Sequence, residues 1–259
     1  MMFRFKENSI GLYTIVRREI TRFLRIWTQT FLPSVISIAL YFVIFGNLIG
    51  PRIGEMNGYR YIDYIVPGLI MMAIITNSYA NVVGSFFTSK FQRNIEEMLV
   101  SPMPNAIILW GYVLGGTIRG ILAGFLVTLV SLFFTKLTLQ HIGLTILIGV
   151  LTALLFSLAG LANGIFAKKF DDINIVPTFV LTPLTYLGGV FYSVNLLPEF
   201  WNWITHGNPI FYMVNAFRYG MLGYSDIDVT VAIGVIFVFI IVLYFINLRL
   251  LKRGVGIRT

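Results

Sequence analysis

The chain has no cysteine and only two histidines, His141 and His206. No disulfide framework or thiolate metal site can form, an absence that suits either side of a membrane. Charge is scarce as well. Only 12% of residues are Asp, Glu, Lys or Arg, against roughly a quarter in soluble domains. With 57% hydrophobic residues and a mean hydropathy of +0.83, a water-soluble fold is excluded. No Gly-x4-Gly-Lys-Ser/Thr occurs, nor any Gly-Lys pair, so the chain has no phosphate-cradling loop of that kind for ATP. Neither a His-Glu-x-x-His motif nor a converging Ser-His-Asp set is present, which argues against an intramembrane enzyme. The long apolar runs carry no carboxylate or histidine near their centres, which disfavours an ion-coupled transporter working alone. There is no visible internal repeat.

What is present is a series of six apolar runs, at residues 31–50, 61–83, 118–137, 142–166, 173–192 and 229–250. About 20 residues suffice for one helical crossing, so the expected fold is an all-α integral membrane protein with six transmembrane helices. Arg4, Lys6, Arg17, Arg18, Arg22 and Arg25 precede the first run, and Arg249, Lys252, Arg253 and Arg258 follow the last. An even number of crossings then leaves both termini in the cytosol, with 15 of the 19 basic residues inside. This topology accounts for the formal charge of +8 without a nucleic-acid partner.

Within residues 1–29, Ile10, Tyr13, Ile15, Val16, Ile20, Phe23, Leu24 and Trp27 fall near helical spacing, with Arg17, Arg18, Arg22 and Arg25 toward the other side. An amphipathic helix in the inner interface is expected, its basic face toward lipid headgroups or a partner. Residues 86–104 form a charged cytosolic island ending at Pro102 and Pro104, which halt a helix. Asn105 to Leu114 reads as an apolar interfacial piece, and Arg119 as an anchor at the cytosolic start of the third span. Gly116, Gly120 and Gly124, and likewise Gly160 and Gly164, form small-residue faces expected to pack the third span on the fourth. Asp172 is placed to cap the helix that follows it, in preference to a metal site with Asp171. Pro177, Pro183 and Gly188-Gly189 should kink the fifth span. The aromatic segment 191–225, with Pro198 and Pro209 at helix starts, suggests a pair of re-entrant helices on the outer side.

The run Arg93-Asn94-Ile95-Glu96-Glu97-Met98-Leu99-Val100-Ser101-Pro102, then Leu187-Gly188-Gly189-Val190-Phe191-Tyr192-Ser193, then Leu197-Pro198, Asn208-Pro209 and Phe217-Arg218-Tyr219, resembles the ABC-2 family of transport permeases. The resemblance covers the whole chain. It implies an exporter permease fold working as a homodimer on two copies of a cytosolic ABC ATPase, in the inner membrane of a Gram-negative bacterium. ATP and Mg would be bound by that ATPase and no cofactor by this chain. It also implies a connecting helix at the N-terminus and a coupling helix at Phe91 to Leu99. In that helix Arg93, Glu96 and Glu97 would be charged contacts, and Phe91, Met98 and Leu99 apolar ones. Spans two and five would line the pathway with Asn77, Asn81, Thr178, Thr182 and Tyr186, although such polar repeats serve equally well as hydrogen bonds between helices. Gly188, Gly189 and Phe191 would form an outer gate. The implied activity is ATP-driven movement, toward export, of an amphipathic or lipid-like substrate. Two alternatives stay open: an ATPase-regulated scaffold or sensor subunit, and a motor-independent secondary transporter or channel.

Overall fold

The computed structural model describes residues 2–256 and the side chains from Lys6 onward. Arg4 and Arg258, used in the charge argument, lie outside the described side chains. The architecture is helical, as expected. In chain order it comprises α1 (Met2–Arg25), α2 (Trp27–Ile53), α3 (Tyr61–Phe91), α4 (Asn94–Val100), α5 (Asn105–Ser131), α6 (Ile142–Phe166), α7 (172–187), α8 (Glu199–His206), α9 (Pro209–Leu222) and α10 (Val229–Arg253). Between α2 and α3 lies a hairpin, Glu55–Met56 paired with Tyr59–Arg60. Its turn is Asn57-Gly58, both at positive φ (52° and 80°), as a tight two-residue hairpin demands.

Five helices, α2, α3, α5, α6 and α10, are long and apolar enough to cross a membrane. The expected fifth span is not among them. Instead of 173–192, the chain forms α7, made of α-helical Asp172–Val176, a π-helical stretch Pro177–Leu181 and α-helical Thr182–Leu187. Each proline lacks a backbone donor, and Gly189 at φ 72° turns the chain away, so the helix is short and irregular. The third span also differs. Nothing between Asn105 and Ser131 breaks a helix, so the expected interfacial piece and the span are one element, and residues 132–137 lie beyond it.

Helix α3 is the centre of the bundle, buried through most of its length, whereas α2 and α10 are mostly uncovered. Both glycine faces pack on α3 and not chiefly on each other. A Cβ at Gly124 would sit 2.6 Å from Ile74, one at Gly160 2.6 Å from the Tyr79 carbonyl oxygen, and one at Gly164 3.3 Å from Phe86. Only Gly116 also meets the facing helix, at Ser157. The correction has a simple cause: a small-residue face admits whichever backbone the rest of the core presents to it. Because the obstacle at Gly160 is backbone, Gly160→Leu should lower the apparent Tm and the monodisperse yield in detergent. Gly160→Ala should do so less, at a cost of about 1–3 kcal/mol. An unchanged melting curve for Gly160→Leu would show that α6 need not approach α3 so closely.

One end of the bundle gathers the start of α1, where Gly11 meets Met103, with the ends of α3 and α6 and the C-terminal turn, where Gly256 meets Ile165. The Lys90 ammonium donates to the carbonyls of Ile165 (2.7 Å) and Ala167 (2.6 Å), closing the C-terminus of α6. Asp172 does not cap the helix ahead of it. Its carboxylate reaches back to accept the backbone N–H groups of Lys168 (2.8 Å) and Lys169 (3.0 Å), bracing the loop behind it.

Candidate functional site

Helix α4 is built to be displayed. Phe91 ends α3, and the chain reverses at Arg93, a non-glycine residue at φ 61°, so the expected coupling helix begins at Asn94 and not at Phe91. Ile95 is fully buried in a cluster with Ile15, Phe86 and Leu109, and Met98 and Leu99 half-bury against the same cluster. These three fasten the helix to the bundle. Arg93, Glu96 and Glu97 are exposed and make no ion pair among the described residues. Phe91 (64% exposed) stacks edge-on with Phe170 of the second loop at 5.1 Å, and Val100 is 86% exposed. Phe170 and Val100 were not foreseen as part of this face. Their signal was an apolar residue in an otherwise charged loop, weak without knowing which loops adjoin.

Asn77 and Asn81 lie inside the bundle, 3% and 0% exposed. They belong to a network that joins four helices. The Asn77 amide donates to Ser34 (3.1 Å) on α2, and Arg119, at mid-helix in α5, donates to the carbonyl oxygens of Asn77 and Asn81 (3.5 Å each). Arg119 therefore turns inward instead of anchoring at a helix end, because a guanidinium in the middle of α5 finds its acceptors on α3. Arg22 donates to the Asn81 side chain (2.8 Å) and to Glu19 (3.0 Å), and Glu19 accepts from Ser85 (2.6 Å). Arg18 donates to Tyr112 (2.7 Å), which donates to Ser89 (2.9 Å). Glu19, a fully buried carboxylate on a helix read as amphipathic, is the charged residue of this network that sequence reasoning missed.

Thr178, Thr182 and Tyr186 are exposed on α7. Thr182 donates to the Pro177 carbonyl at 2.9 Å, and the Tyr186 and Tyr41 hydroxyls are 3.0 Å apart. Tyr41 lines a crevice of about 220 Å³ with Ser34, Ser37, Met72 and Thr76, between α2 and α3. Ser34, Ser37 and Tyr41 recur at helical spacing on the first span, a stripe legible in the sequence but passed over.

At the opposite end from α4, Gly188 and Gly189 are buried, and the Gly189 carbonyl accepts from Arg218 at 2.6 Å. Arg218 is wholly buried, its guanidinium 4.0 Å over the Tyr64 ring. Phe191 joins Tyr41, Phe45 and Tyr186 in an aromatic cluster, with ring centres 5.0 to 5.9 Å from its own. Burial and a 2.7 Å hydrogen bond to Asp226 push the Tyr224 hydroxyl up to about 12, so it stays protonated as a donor.

Apolar helices around one buried helix, with a charged helix displayed at one end, define a multi-pass membrane protein. Residues 11–222 match the ABC-2 type transporter family, and the chain belongs to that family. It is a multi-pass inner-membrane protein and a transporter subunit. It is 58% identical over 250 residues to the inner membrane transport permease YadH of Escherichia coli K12, covering 96% of this chain and 98% of that one. Nodulation protein J of Neorhizobium galegae is 22% identical over 248 residues, 95% of each chain. Nodulation protein J of Rhizobium leguminosarum bv. viciae is 24% identical over 234 residues, 88% of this chain and 90% of that one.

Proposed function

We propose that two copies of this chain form the translocation pathway of an ATP-driven exporter, powered by two cytosolic ATPase subunits that bind ATP and Mg. The observation that carries this is α4, a seven-residue helix pinned by Ile95 while Arg93, Glu96, Glu97, Phe91 and Val100 face outward. Its charges disfavour the membrane, and a partner protein is the remaining neighbour. In this reading α7 makes the sixth crossing, shortened by its prolines, and α1 lies at the inner interface as the connecting helix. Helices α8 and α9 are the re-entrant pair, since the segment leaves from Phe191, which accepts a hydrogen bond from Tyr61, and returns at Leu222, which accepts one from Tyr59.

The pathway residues are Thr178, Thr182 and Tyr186 on the exposed face of α7, together with the crevice of Ser34, Ser37, Tyr41 and Thr76. Asn77 and Asn81 support that wall from behind. Hydroxyl and aromatic groups without fixed charge suit an amphipathic or lipid-like substrate. Gly188, Gly189 and Phe191 close the outer end, and movement of α4 opens it in an alternating-access cycle.

The test is co-expression with a candidate ABC ATPase from the same genome, purification through a tag on this chain, and ATP hydrolysis in lipid nanodiscs. Equimolar co-purification with altered, vanadate-sensitive turnover is the expected result. Gradient-driven flux through this chain alone, without an ATPase, would replace the proposal with a secondary transporter.

A further inference from the structure

Between α1 and the end of α3 runs a groove of about 690 Å³ that the transport cycle above does not use. One wall is a single face of α1 bearing Arg17, Arg18, Arg22 and Arg25. The other carries the hydroxyls of Ser85, Thr88 and Ser89 on α3, and beyond them Gln92 and Asn94. Ser85 and Thr88 already donate to Glu19 (2.6 Å) and to the Gly84 carbonyl (2.7 Å), so the donors turned to the groove are guanidinium and amide groups, the set that grips phosphate oxygens.

The charge balance of the groove is unfilled. Glu19 is the only carboxylate lining it, and Arg22 (3.0 Å) and Arg18 (3.5 Å) already share it. Arg17 and Arg25 have no acidic partner among the described residues. Behind the wall Arg119 adds another guanidinium whose only side-chain acceptors are two neutral amides. The Nε atoms of Arg22 and Arg119 are buried without a hydrogen-bond partner. Several cations facing one carboxylate across an open groove call for an anion.

We infer that this groove binds the phosphate of an anionic phospholipid from the inner leaflet. The apolar residues around it select a lipid over a soluble anion. The groove sits at the end of the bundle where α3 gives way to the docking helix. Away from the groove, α1 exposes Ile10 (56%), Tyr13 (64%) and Leu24 (48%), and Trp27 (56%) opens α2, apolar and belt-type residues that acyl chains and the headgroup boundary would cover. A headgroup in the groove would balance the charge of α1 and tie it to α3. The inference concerns this chain alone and holds whatever the substrate is.

The purified permease in uncharged detergent would be titrated with short-chain phosphatidylglycerol, phosphatidylcholine and inorganic phosphate, with bound species counted by native mass spectrometry. Wild type should retain phosphatidylglycerol about tenfold or more over phosphatidylcholine, and inorganic phosphate should not bind. The double variant Arg17→Gln/Arg25→Gln, which alters exposed side chains outside the buried network, should lose that preference. Arg249→Gln/Lys252→Gln, removing equal charge from the end of α10, should keep it. Equal loss in both variants would overturn the inference in favour of general surface electrostatics. Equal binding of inorganic phosphate would replace the lipid with a soluble anion. Unaltered lipid preference in Arg17→Gln/Arg25→Gln, with weakened ATPase co-purification, would reassign the groove to a protein surface.

Discussion

Replacing Glu19 with alanine should cost the folded protein roughly 2–4 kcal/mol, toward the upper end if Arg22 cannot swing outward. Glu19 is 0% exposed and accepts from Arg22, Arg18 and Ser85. Its removal leaves the cations of α1, and Arg119 behind Asn81, facing one another without a counter-charge. The Arg22 side chain is 38% exposed, so part of its charge can be rescued by water in the groove, which keeps the cost below that of a wholly enclosed pair. Glu19→Gln should cost less, because an amide oxygen still accepts from Ser85. Adding Arg22→Gln to Glu19→Ala should restore part of the loss, and the double-mutant cycle should show coupling of about 1–2 kcal/mol. Thermal unfolding in detergent checks this. A Glu19→Ala protein that melts with wild type would mean that the network is peripheral to stability.

The second large effect is functional. Arg93→Glu combined with Glu97→Lys should leave the permease folded, since both side chains are exposed and form no ion pair among the described residues. Its action on the ATPase should fall by about tenfold or more, the scale expected when a charge pair that is desolvated at an interface is reversed. ATP turnover and co-purification, measured against wild type in the same lipid, decide the matter. Unchanged assembly and stimulation would remove α4 from the docking surface.

The features legible along the chain were those that depend on residues close together in it. Long apolar runs marked the spans because a helix in lipid must be apolar along its length. Pro102 and Pro104 bounded the short charged helix because proline acts on its own turn. Resemblance added the family, and the match of residues 11–222 bears it out. The readings that changed were those about which side a residue faces. Arg119 looked like an anchor because only its own helix was in view, and the short α7 followed from two prolines whose joint effect on the backbone was underestimated.

Sequence by itself thus determined that this protein is a multi-pass helical bundle with a charged helix displayed between two of its spans. Composition, hydropathy and proline placement act locally and survive any packing. Tertiary structure alone decided that both glycine faces close on α3, that Glu19 is buried between two arginines of its own helix and Ser85 of α3, and that Asn77 and Asn81 bond between helices. Those outcomes depend on which helices become neighbours and on how far a long side chain reaches across the gap, and no spacing within one segment encodes either.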